Sequence, residues 1–338
     1  MADIRIDGEK ITAIGLGLED RADLIVDAQG KYVMPGGVDQ HTHFNFTFRS
    51  ATVRGFETSH AALAGGTTTV VDFANQKIGW TIKDSIDEYM EQKVVGKAMC
   101  DYAFHGVVFD PSPALFKEVE RLPEIGVPTI KLFMAYKDHP YHCDDDSVFK
   151  ALQAAKDAGV TIMVHAEKAD VIDVLQKQLL AEGKTGPYYH CGFDWKTQKH
   201  LGKDDFTGIP NGAPGLENRL AVLWTYGVAQ GKISRQKFVE LFATAPAKIN
   251  GLFPRKGHIS IGGDADIVVL DPDFRGVMSV RNSLQGVDYC TYEGMEQIGR
   301  VEKVFLRGKL TVDQGAFIGQ AGQGAFIKGQ PFGLVYQE

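Results

Sequence analysis

Between residues 33 and 182 the chain alternates short apolar, β-branched runs with longer stretches of helical spacing, and no other feature restricts its fold as much. The runs are 33–44, 67–73, 101–109, 129–136 and 161–167. Helical periodicity predicts helices over 84–95, 112–122, 146–158 and 169–182. A strand covered on both faces reads as a continuous apolar run, and a helix between two such strands is the crossover that parallel pairing requires. Five β/α units in a row therefore predict a parallel sheet closed by helices, in the form of a TIM-like (β/α)8 barrel. After residue 182 the alternation stops, so strands six to eight are expected to be missing from this sequence, with an internal gap near residue 190. Two more helices are predicted over 216–228 and 234–250. Alternating residues over 2–33, 257–270 and 299–312 predict short antiparallel strands, with turns at Asp7-Gly8 and Gln29-Gly30. The expected organisation is a small β-sandwich from both chain ends (1–32 and 256–313), a barrel over 33–255, and an extended arm over 314–338.

Composition narrows the function. A net charge of −7 argues against nucleic acid or an anionic membrane as the main partner. No apolar run reaches the ~18 residues of a membrane span. Residues 1–7 alternate in charge and do not read as a signal peptide. The four cysteines lack CxxC spacing, so free thiols in the cytoplasm are expected. The arm carries Phe317, Phe326, Phe332 and Tyr336 with no adjacent strand pattern to receive them. That predicts an interface.

In a barrel, the C-terminal ends of the strands meet at one mouth. His41 and His43 fall there at i and i+2, and in a strand such residues project to the same face. Two neutral imidazoles on one face are a half-site for a divalent metal. His165 closes the fifth run and supplies a third imidazole. Lys131 is the odd member of an apolar strand. It is either a snorkelling or ion-paired lysine, or an amine made neutral by burial beside cations. Tyr136 is open to two readings as well, half-buried core or a mouth residue. His105 reads as a structural histidine. His60, His139, His142, His200 and His258 sit in helical or loop contexts and are not assigned as ligands, and residues 144–146 read as a turn and helix cap.

Five segments carry a family resemblance: 35–43 (PGGVDQHTH), 130–137 (IKLFMAYK), 164–167 (VHAE), 209–215 (IPNGAPG) and 262–268 (GGDADIV). Together they resemble the dihydropyrimidinase/D-hydantoinase branch of the amidohydrolase superfamily, in order and over nearly the whole chain. The resemblance implies metal-dependent opening of a small cyclic amide, a dihydropyrimidine or 5-substituted hydantoin, to an N-carbamoyl amino acid. It implies two divalent ions, zinc by expectation, and suggests a homodimer or homotetramer. His41 and His43 would bind one ion, His165 the other, and a carboxylated Lys131 would bridge them. Tyr136 would hydrogen-bond the oxyanion and bind substrate, and the backbone at Asn211 would read the cyclic imide. Phe44, Phe46 and Tyr136 would line a pocket tolerant of an apolar ring substituent. The run after Lys131 resembles hydantoinases more than allantoinases. Two family features have no counterpart, a histidine after strand six and an aspartate after strand eight. The chain passes from 186–189, which resemble the end of the fifth unit, to 191–194, which resemble the loop after strand eight, with His190 on either side of the join. The competing reading is a non-catalytic scaffold or assembly protein of the same family.

Overall fold

The computed structural model describes residues 2–20, 22–48, 51–191, 202–209, 211–287 and 289–332. The chain opens with an antiparallel hairpin, β1 (Asp3–Asp7) and β2 (Lys10–Gly15), then β3 (Tyr32–Pro35) and β4 (Gly37–Thr42). The run beginning at Val33, read above as one barrel strand, is in fact cut in two. Tyr32–Pro35 pairs antiparallel with a strand near the C-terminus, and parallel barrel pairing starts at Gly37. The chain changes sheets where only glycine fits. A Cβ on Gly36 would stand 2.1 Å from Thr68 Oγ1, and one on Gly37 would stand 2.4 Å from the Phe242 ring.

A two-residue-per-strand hairpin, β5 (Thr47–Phe48) and β6 (Ala51–Thr52), precedes α1 (His60–Ala64). The regular units then run β7 (Thr67–Asn75), α2 (Ile82–Tyr89), β8 (Asp101–Val107), α3 (Pro113–Val119), β9 (Thr129–Phe133), α4 (Asp145–Ala158), β10 (Thr161–His165) and α5 (Ala169–Ala181). Helix starts follow local chemistry: Thr81, Ser112 and Asp144 each accept a backbone N–H of the first turn. Asp144 is thus the cap expected of that acidic cluster. The strands form one parallel sheet in the order β10-β9-β8-β7-β4. Among the described residues this sheet has five strands, and its edge strand β10 is half-exposed along its whole length.

After α6 (Tyr188–Cys191), the helices α7 (Arg219–Leu223), α8 (Arg235–Val239) and α9 (Ala245–Ile249) pack beside β4 and the second sheet. That sheet is antiparallel in the order β14-β13-β12-β11-β3. It is built from β11 (Ile267–Val277), β12 (Glu296–Leu306), β13 (Lys309–Asp313), β14 (Ala316–Phe317) and β3. Ile4 and Ile6 of the hairpin pack on Ile267, Val269 and Phe305 of this sheet.

The two halves are locked by a buried ion cluster. Lys256 reaches Asp101 of β8 at 2.6 Å, Asp266 at 2.6 Å and Asp264 at 2.9 Å, and Arg307 pairs with the other oxygen of Asp101. The arm does not project as expected. Phe317 pairs in β14, Ala325 and Ile327 bond the backbone of Tyr102, and Phe326 stacks on Phe104 at 5.6 Å. Its aromatics at 317 and 326 therefore pack on their own chain, which removes them as grounds for an interface. Tyr336 lies outside the described residues. Among the described residues no helix is long and apolar enough to cross a membrane. Cys100, Cys143 and Cys290 are free and buried.

Candidate metal centre

β4 and the two residues after it present His41 and His43 on one open face, while Thr42 and Phe44 are buried on the other. This is the alternation that i and i+2 demand. It also corrects the pocket reading of Phe44, which stacks on Phe56 at 4.4 Å behind the strand. Phe46 does approach the His43 ring, at 5.6 Å. The two imidazoles meet edge to face at 5.3 Å, over a shared platform, the Phe73 ring, at 4.6 and 4.5 Å. Surrounding protein, then the charges of His41 and Lys131, lower the His43 pKa to about 4. Burial and Lys131 lower that of His41 too. Both rings are neutral at pH 7, with lone pairs free to bind a cation.

Lys131, in β9, is 6% exposed. Its Nζ lies 5.1 Å from the Phe133 ring centroid and 6.0 Å from that of Phe73. Among the described residues no carboxylate pairs with it, which removes the ion-pair reading. Burial lowers its pKa. A buried lysine with no counterion is destabilised as an ammonium and favoured as a free amine. His165 ends β10, stacks 5.8 Å from the Phe133 ring, and directs Nε2 to Glu167 Oε2 at 2.7 Å. His105 is structural, as read from the sequence. It is 1% exposed, Nε2 donates to the Gln40 carbonyl at 2.9 Å, Nδ1 accepts from Thr129 Oγ1 at 2.6 Å, and burial lowers its pKa to about 3.

Tyr136 follows β9 with φ 62°, a left-handed backbone that a tyrosine rarely adopts. Its Oη accepts a hydrogen bond from Asn211 Nδ2 at 2.7 Å, so the Asn211 side chain as well as its backbone stands at the mouth. Burial raises the Tyr136 pKa, and the Asn211 donor opposes the rise. Asn211 in turn touches His190, which sequence reasoning had left unplaced. A second element was missed altogether. Asp72 accepts the Phe44 N–H at 3.0 Å and lies 2.7 Å from Tyr89 Oη, which also reaches the Phe44 carbonyl at 2.8 Å. This clamp fixes the strand end that carries His43. Residues 192–195, His200 and Pro210 lie outside the described residues.

The donor set fits a metal in part. His41, His43 and a lysine poised as a free amine share one face, and a lysine converted to an anion would complete three donors for one ion. Among the described residues, however, no three His, Cys, Asp or Glu side chains converge as a metal cage.

The parallel α/β sheet thus carries imidazoles at the C-terminal ends of β4 and β10 and, in the middle of β9, a lysine without a carboxylate partner among the described residues. The amidohydrolase family model matches residues 32–185 and 208–311, and the chain belongs to that family. Within it the chain falls in the D-hydantoinase/dihydropyrimidinase branch. It is 31% identical over 445 aligned positions to the D-hydantoinase of Geobacillus stearothermophilus, spanning 99% of this chain and 94% of that one. It is 30% identical to the dihydropyrimidinase of Rattus norvegicus over 98% of this chain and 86% of that one. The solved D-hydantoinase of Bacillus sp. AR9 superposes with a TM-score of 0.93 at 33% identity, covering 98% of this chain and 96% of the other. Membership implies a TIM-like barrel and a divalent metal centre. The alignment to the Geobacillus protein has 445 positions and this chain has 338 residues, so at least 107 of those positions have no counterpart here.

Proposed function

We propose that this chain is a cyclic amidohydrolase that hydrolyses the ring amide of dihydropyrimidines or 5-substituted hydantoins to N-carbamoyl amino acids. Lys131 carries the reading: a buried amine without a counterion, beside two neutral histidines, is chemistry that a purely structural strand has no use for. In this reading His41, His43, His165 and a carboxylated Lys131 would hold two divalent ions, with zinc the expected metal. Bound there, the metal supplies Lewis acidity and a nucleophile from water at neutral pH. The free Lys131 amine attacks CO2, the new C–N bond forms, and the displaced proton passes to solvent, leaving an anionic carbamate. Tyr136 presents its O–H where negative charge develops on the substrate carbonyl oxygen. The Asn211 backbone reads the imide.

The five-stranded sheet and the 107 unmatched positions support a further element of the reading, that strands six to eight and their ligands are absent near residue 190. Homo-oligomers are also part of it, supported by exposed Val171, Val174 and Leu175 on α5 and exposed Phe149 and Leu152 on α4. The test is metal content and dihydrouracil hydrolysis. Both are measured on this chain and on a chimera that receives the aligned internal segment of the Geobacillus relative. This chain should hold one ion or fewer and turn over weakly. The chimera should hold two and be active. Two ions and equal turnover in the short chain would overturn the account of the gap. The scaffold reading requires that neither chain bind metal or hydrolyse the ring.

A further inference from the structure

His190, in the short helix α6, is not among the proposed metal ligands, yet it stands at the end of a line of side chains leading into the site. Its Nε2 is 3.0 Å from Asn211 Oδ1, and Asn211 Nδ2 is 2.7 Å from Tyr136 Oη. An imidazole and a carboxamide are both two-sided groups, so this line has two polarities. In one, Nε2–H donates to the amide oxygen and the amide NH2 donates to the tyrosine oxygen. In the other, the amide is turned over, the tyrosine O–H donates to it, its NH2 donates to a bare Nε2, and the ring proton sits on Nδ1.

The far ring nitrogen decides between them. His190 Nδ1 is buried and has no hydrogen-bond partner among the described residues. A buried N–H without an acceptor loses its bond to water outright, whereas an unpaired acceptor is the better tolerated defect. The first polarity therefore prevails. We infer that His190 is a positioning residue: its neutral Nε2–H tautomer fixes the Asn211 amide so that Tyr136 keeps its hydroxyl proton free for an incoming carbonyl oxygen. Since Tyr136 Oη already accepts from Asn211, its own proton must point elsewhere, and the described residues offer it no acceptor. Under the reverse polarity that proton would be committed to the amide, and Tyr136 could not donate to a developing oxyanion. Only this last step rests on the proposed hydrolytic reading; the hydrogen-bond polarity does not.

The test is nuclear magnetic resonance of the full chain at neutral pH, labelled with 15N at histidine and, separately, at asparagine. The His190→Gln variant identifies the His190 signals by their loss. The expected result is a protonated Nε2 and a bare Nδ1 on His190, with the Asn211 NH2 signals shifted in Tyr136→Phe because their acceptor is gone. Protonation at Nδ1, or Asn211 NH2 signals unmoved in Tyr136→Phe, overturns the inference. The wild-type spectrum decides even where a variant fails to fold. In a chain that turns over dihydrouracil, such as the chimera above, His190→Phe should lower kcat about tenfold or more with little change in KM. His190→Gln, whose NH2 can also donate to Asn211 Oδ1, should recover most of that loss, and equal losses in the two variants would refute a positioning role. Absence of turnover in every chain would count against the proposed function and leave the tautomer result standing.

Discussion

Replacing Asp72 by Asn should remove a pH dependence of stability that the clamp behind the histidines imposes. Asp72 is fully buried on β7, and burial raises its pKa from 3.8 to about 7 against the opposing donors Tyr89, Phe44, Phe73 and Thr42. The oxygen geometry accords with a protonated acid. Tyr89 Oη lies within reach of both Asp72 Oδ2 and the Phe44 carbonyl but has one proton to give. If Asp72 donates to Tyr89, Tyr89 can donate to Phe44 and every atom is satisfied; if Asp72 is ionised, one acceptor goes without. The sign follows. Between pH 3.8 and about 7 the folded state holds a proton that the unfolded state has lost, so stability falls as pH rises through this window. At 1.36 kcal/mol per pH unit the full window is worth on the order of 4 kcal/mol, of which about 2–3 kcal/mol falls between pH 5 and 8. Asn keeps an oxygen for the Phe44 N–H and an NH2 for Tyr89, without a titration. Urea denaturation followed by circular dichroism at pH 5, 6, 7 and 8 should show the parent losing that amount relative to Asp72→Asn. Parallel curves, or a variant less stable at pH 8, would refute the reasoning.

Lys256→Met should cost about 3–5 kcal/mol, because it strands Asp101, Asp264 and Asp266 in the interior; a urea-derived loss below about 1 kcal/mol would show the cluster to be energetically neutral. In the same cluster Lys256, Lys10 and Arg255 outweigh burial to hold Asp264 below its ordinary pKa, so its contribution is present above pH 3.8 and is lost as pH falls through the lower folded value. Native mass spectrometry in bicarbonate with zinc should show one added CO2, absent in Lys131→Gln, and an unmodified amine in the metal-bound protein would remove the bridging role. Light scattering at micromolar concentration should give a dimer or larger, and a monomeric mass would refute oligomerisation.

The fold was legible wherever burial sets a period. The parallel strands announced themselves as apolar runs because the central ones, β7 and β8, are covered on both faces, and the cap at Asp144 because its side chain acts locally. Pro35-Gly36-Gly37 read as a turn that loosens the strand, but the change of sheet there was not legible, since only the facing Thr68 and Phe242 reveal why glycine is required. The arm was misread for a related reason. Phe326 finds its partner in Phe104, more than two hundred residues away, and no local pattern encodes such a distance. At the site, His41 and His43 were legible from strand alternation. Asp72, Tyr89 and His190 were not, because each acts through a hydrogen bond to a distant residue: Phe44 for the first two, Asn211 for the last.

Burial prepares the side chains of the site, while the edge strand beside them, β10, is half-exposed. Burial against Phe73 and Phe133, side chains of β7 and β9, keeps the imidazoles neutral and lowers the Lys131 pKa, the direction a metal ligand needs. The conditions that prepare these side chains therefore belong to the five parallel strands described. Enclosure is another matter, because it depends on the strand beyond β10. That strand's place is an edge with every residue half-exposed, and His165 there turns Nε2 to Glu167 on its own segment. A neighbouring strand would cover that edge, exclude water from the histidine–carboxylate pair, and make the contact with Glu167 compete with a metal in a drier setting, where a charged ligand set is worth more. In the proposed reading these strand ends would hold a first ion more readily than a second, which is why metal stoichiometry, rather than activity alone, distinguishes a catalyst from a scaffold.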